Sequence, residues 1–136
     1  MKLLKEVEKI FKKKYQPFVM PMDGYSNIYK YIEANPNEKS KYIYPKNDSY
    51  FNKKYKQYIT TGYYGFSTNS YMPEIWTDII DDLVELFILN DPSFEIHQIK
   101  VKFGGVRFYV VSNVIEDLFE INEFIEGKFY SPYLMY

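Results

Sequence analysis

The chain has 136 residues, 46% hydrophobic and 26% charged, with a formal net charge of −1. A single domain of that length buries roughly two thirds of its unfolded surface, so it needs no covalent staple. With no Cys, disulfide frameworks, thiol catalysis and cysteine-based zinc sites are excluded.

Apolar runs are short, and Met1-Lys2-Leu3-Leu4-Lys5-Glu6 alternates apolar with charged residues instead of building a hydrophobic leader. A cytoplasmic protein without membrane contact is expected. Charge is unevenly spread: residues 1–71 hold 13 Lys against 6 Asp or Glu, net +7, whereas 72–136 hold 3 Lys and 1 Arg against 12 Asp or Glu, net −8. We favour the reading that the halves pack together or simply carry solvated charge over one in which the basic half steers an anionic partner. We read 1–136 as one domain, a basic Tyr-rich part (1–71) joined to an acidic helix-hairpin-helix part (72–136).

Leu3, Leu4, Val7, Ile10 and Phe11 predict an amphipathic helix over 2–14, ending in Lys12-Lys13-Lys14, where the helix dipole favours cations. Its apolar face is no larger than core packing requires. Residues 15–71 contain twelve of the sixteen Tyr and no long periodic element. A short helix is expected over Asn27 to Ala34, and strand character in Tyr42-Ile43-Tyr44 and Gln57-Tyr58-Ile59-Thr60-Thr61, with Tyr rings supplying much of the packing.

Pro73 and the spacing of Ile75, Trp76, Ile79, Ile80, Leu83, Val84, Phe87 and Ile88 predict a helix over 73–89. Glu74, Asp78, Asp81 and Glu85 line its other side, with Asp82 beside them; lacking His and calcium-loop geometry, they read as a solvated face. Residues 94–112 form a hairpin in which Gly104-Gly105 is expected as a two-residue turn, setting Lys102 opposite Arg107 and Lys100 opposite Tyr109. One face then carries Ile99, Val101, Phe103, Val106, Phe108 and Val110, the other Gln98, Lys100, Lys102, Arg107 and Tyr109. A last helix is expected over 113–126, capped by Ser112 or Asn113 and ended by Gly127. The tail from Phe129 to Tyr136 is too apolar for a solvated end, and packs on the domain or on a second copy.

Catalytic constellations are missing. His97, the one His, falls on the apolar face with no nucleophile to serve, and neither a phosphate loop nor a dinucleotide fingerprint occurs. The cationic hairpin face is the candidate site. Arg107, the one Arg, offers a planar fork for phosphate; Lys100 and Lys102 add charge, Tyr109 a stacking ring and Gln98 an amide. Each charge-assisted bond contributes on the order of 1.5–3 kcal/mol, so a few reach micromolar binding.

The hairpin Gln98-Ile99-Lys100-Val101-Lys102-Phe103-Gly104-Gly105-Val106-Arg107-Phe108-Tyr109 resembles a Q-x-K-E-K-F-G-G-L-R-F-Y run typical of a family of small, functionally uncharacterised phage and prophage proteins. Upstream, Trp76-Thr77-Asp78-Ile79-Ile80-Asp81-Asp82-Leu83 resembles the W-F-D-L-I-D-E-L helix that precedes the hairpin there. Val101 replaces the usual Glu, Ile75 the usual Gly, and the Cys pairs of many relatives are missing, so no zinc role transfers. The resemblance implies a phage-like origin and thus the cytoplasm of a bacterial host cell.

The expected fold is α+β: a small antiparallel sheet including the 94–112 hairpin, flanked by helices 73–89 and 113–126, with the N-terminal amphipathic helix. By analogy from that origin, the expected function is counter-defence without catalysis. The protein would sequester a small anionic, nucleotide-like signalling molecule through Gln98, Lys100, Lys102, Arg107 and Tyr109. The alternative is a protein-binding inhibitor of a host defence enzyme or toxin, acting as an acidic nucleic-acid mimic or through a Tyr-rich interface. No cofactor, metal or stable DNA or RNA binding is expected, and homo-oligomerisation is left open.

Overall fold

In the computed structural model, which describes residues 1–67 and 72–135, the first apolar stripe becomes α1 (Leu4–Lys14), burying Val7 and Phe11. α2 (Ile28–Ala34) and α3 (Asp48–Lys54) start alike: Asn27 accepts from the Lys30 amide at 2.8 Å and Asn47 from the Tyr50 amide at 3.1 Å. A short strand, β1 (Gly65–Ser67), follows. α4 (Glu74–Asn90) is the central helix, with Trp76, Ile79, Ile80, Leu83, Val84 and Phe87 wholly buried. The hairpin β2 (Glu95–Lys102) and β3 (Gly105–Val111) leads to α5 (Leu118–Lys128).

The result is a small α+β fold. Its three-stranded sheet has the order β1-β2-β3, with β2 and β3 antiparallel. β1 runs parallel to β2, α4 making the crossover between them, so the sheet is mixed where an antiparallel one was expected. Ile96, Ile99, Val106 and Phe108 bury one sheet face in a hydrophobic cluster that reaches from Leu3 to Leu134. Aromatic rings supply much of it: Phe51 stacks on Phe66 at 4.7 Å, and Tyr31 meets Tyr25 edge-on at 5.3 Å. The Trp76 indole donates to the Gln16 carbonyl at 3.1 Å, which satisfies its only polar atom and pins the segment after α1.

The hairpin turn lies one residue earlier than expected. Lys100 pairs with Arg107, Gln98 with Tyr109 and Lys102 with Gly105, leaving Phe103 and Gly104 as the loop, at φ 53° and 77°. Partners shift by two residues, so the two faces keep their expected membership apart from Phe103, which is exposed at the tip. Gly105 is needed elsewhere. The C-terminal segment runs along β3: Val106 donates to the Phe129 carbonyl, Gly105 bridges Tyr130, and a Cβ on Gly105 would stand 3.0 Å from the Phe129 oxygen.

Three other expectations change. The last helix begins at Leu118, because Ser112 Oγ accepts from the Val114 and Ile115 amides and donates to Asp91 at 2.6 Å, fixing a turn there. It runs through Gly127. Tyr42 closes a 3-10 turn, and Gln57-Tyr58 belongs to another; from that stretch only Ile59 bridges β2, at Ile96. The strip on α4 is solvated only in part: Glu74 and Glu85 are exposed, whereas Asp81 is buried beneath side chains of α3 and the segment before it. The apolar tail packs on the domain, with Phe129 and Leu134 buried.

Candidate functional site

Two strands and a backbone bridge assemble the polar face of the sheet. Lys100 and Arg107 stand side by side, with Gln98 and Tyr109 as the next pair and Lys102 one pair closer to the turn. β1 extends this face with Ser67, whose Oγ lies 3.1 Å from Gln98 Nε2. Tyr130, paired with Gly105, projects from the same side, since direct partners in a ladder share a face. The register thus gathers all five expected residues on one surface and adds Ser67 and Tyr130.

Lys100 opposite Arg107 sets like charges across a strand pair, an arrangement that costs stability unless something offsets it. Glu126 of α5 does so for Arg107, Oε2 to Nη1 3.0 Å. Arg107 therefore ties α5 to the sheet, and its fork is partly spent. Among the described residues Lys100 and Lys102 have no carboxylate partner. Each instead lies over a ring, Lys100 Nζ 5.3 Å from the Tyr109 centroid and Lys102 Nζ 5.4 Å from that of Phe103. Tyr109, Tyr130 and Phe103 are 45, 54 and 66% exposed, so the face is an open platform of rings and ammonium groups.

Glu126 escaped the sequence reading; nothing local marks it as the residue that reaches β3. Tyr130 escaped it too, because a tail pairing with a turn leaves no periodic trace. His97 sits at a bulge between Ile96 and Gln98, stacked on Tyr63 at 4.0 Å with Nε2 3.5 Å from Glu95. That is a packing role. Among the described residues no group of three or more His, Cys, Asp or Glu is placed to hold a metal, and no helix is long and apolar enough to cross a membrane.

A dense polar cluster lies elsewhere. Asp81 accepts hydrogen bonds from the Tyr55 and Tyr50 hydroxyls and from Lys54 at 3.0 Å, with Lys46 3.5 Å away. Burial works against its charge, but the bonds from Tyr55, Lys54 and Tyr50 outweigh it and hold the carboxyl below its ordinary value. A carboxylate so fully engaged is a junction, not an acid or base in waiting. Comparison with protein families, with curated proteins and with solved structures gives no match.

Proposed function

We propose that the protein is a non-catalytic, phage-type counter-defence factor that sequesters a small anionic, nucleotide-like signalling molecule on the polar face of its sheet. Lys100 and Lys102 would take phosphate oxygens, Gln98 a base edge, and Tyr109 or Tyr130 a stacked ring. Arg107 would join them by exchanging Glu126 for ligand phosphate. The observation that carries this reading is the alternation, on one uncovered surface, of exposed rings with two ammonium groups that have no carboxylate partner among the described residues.

Thermal denaturation with a panel of nucleotides tests it. A binding nucleotide should raise Tm and be recovered intact after heat denaturation. Lys100→Ala with Lys102→Ala should abolish the shift, and Glu126→Gln, which frees Arg107, should enlarge it. No shift with any nucleotide, or one indifferent to the double substitution, removes the sheet face from consideration; altered ligand in the supernatant makes the protein an enzyme.

A second reading, an inhibitor that docks a host protein, is favoured by the exposure of Phe103 at the hairpin tip. Flat surfaces with aromatic anchors suit macromolecules better than small ligands, which prefer concave sites. It would give a stability shift only with a macromolecular partner.

A further inference from the structure

Between α1 and α5 lies an open groove of about 630 Å3, within the range of small-molecule sites. Lys5, Lys9 and Lys12 of α1 line one side and Lys128 of α5 the other, and Glu8 is the one carboxylate in the lining. Lys9 turns toward Glu6 at 3.4 Å, whereas Lys5, Lys12 and Lys128 have no carboxylate partner among the described residues. The walls are rings. Phe11 meets Phe124 edge-on at 5.2 Å and Tyr15 at 6.0 Å, and the Lys128 ammonium stands 5.8 Å from the Tyr15 centroid and 5.7 Å from that of Phe124.

The lining is thus strongly cationic in a chain of net charge −1, and its rings pack on one another, Phe124 edge-on to Phe11 and Tyr15 tilted against it. Such a groove complements a flat ring that carries negative charge: the ring lies against Tyr15 and Phe124, and the anion meets the lysines. A membrane surface fits it less well, because the apolar residues of α1 are turned toward the core, Val7 and Phe11 at 0 and 3% exposure and Leu4 and Ile10 packed against it.

We propose that the α1–α5 groove is a second ligand site, separate from the sheet face, for a small planar aromatic molecule bearing a phosphate. Lys5 and Lys12 hold the phosphate, while Lys128 moves off the rings to admit the base and joins the phosphate contacts.

Titration of isotope-labelled protein with adenosine monophosphate tests this by amide chemical shift, beside adenosine, inorganic phosphate and phosphatidylglycerol vesicles. The nucleotide should move signals of α1 from Lys5 to Tyr15 and of Phe124 to Lys128, and adenosine or phosphate alone should bind more weakly. Lys5→Ala with Lys12→Ala, both at exposed positions, should weaken binding about tenfold or more without lowering Tm. Shifts confined to Gln98–Tyr109 would support the sheet face and overturn the groove; so would silence at millimolar ligand, full affinity in the double variant, or preference for vesicles. Groove shifts with an unresponsive hairpin would uphold this site and leave the sheet-face reading to fall alone.

Discussion

Phe103 occupies backbone space that suits Asn or Gly. At φ 53° it holds the first position of a two-residue loop in which both residues have positive φ, where a side chain with Cβ costs about 1–2 kcal/mol. Packing offsets little of the cost, for the ring is 66% exposed, with the Lys102 ammonium over it. Phe103→Asn should therefore raise stability by about 0.5–1 kcal/mol in urea unfolding, part of the strain remaining for Asn, and should weaken whatever binding the hairpin tip supports. A loss of stability would show instead that the ring packs on the fold. The turn was misread for a related reason: Gly104-Gly105 announces positive φ in sequence, but only Gly104 supplies it, and Gly105 is required by the approach of the Phe129 carbonyl. No local pattern reveals that approach.

α1 begins without a cap of its own. Leu3 makes no side-chain bond to the helix start, and the Leu3 and Leu4 amides instead donate to the two carboxylate oxygens of Asp117, both at 2.9 Å. Burial opposes the charge of Asp117, yet these amide bonds prevail and lower its pKa from the ordinary 3.8. A depressed carboxyl contributes stability above its ordinary pKa and loses it as pH falls through the folded value. Asp117→Ala should cost about 1 kcal/mol at neutral pH and speed amide exchange in the first turn of α1, far from the altered residue in sequence. Unchanged exchange there would mean that α1 is held by Val7 and Phe11 alone. This cross-chain cap also explains what the sequence hides. The α4 stripe and the hairpin alternation are local periodicities and could be read directly. The start of α5 could not, since the Asp before it serves another helix.

At the scale of the whole molecule, the basic and acidic halves meet in ion pairs along α4. Lys46 reaches Asp78 at 3.0 Å, Lys54 reaches Asp81 at 3.0 Å, and Lys14 is bonded to Asp82. Charge counts left open whether the halves pack together or merely carry solvated charge, and could not supply the pairs, because residues 15–71 carry no period from which to place Lys46 or Lys54. Asp81 is the centre of the junction. With its carboxyl held low, the stability it contributes is present above pH 3.8 and is lost as pH falls below it. At the alkaline end the signs reverse: burial pushes the Tyr44 phenol up to about 12, and burial with the nearby Asp81 raises Tyr55, so stability complete below the ordinary 10.0 is lost as pH climbs through those raised values. Asp81→Asn keeps the shape but removes the charge that Lys54 and Lys46 face. Truncating a buried pair on one side costs 3–5 kcal/mol where the partner stays buried; here both lysines can turn toward water, so roughly 2–4 kcal/mol is expected. Urea unfolding across the acid range should show that loss at neutral pH and a flatter acid limb in the variant. Equal stability of the two proteins at neutral pH would mean that apolar packing alone joins the halves, and that their opposite charges serve only to steer what approaches from outside.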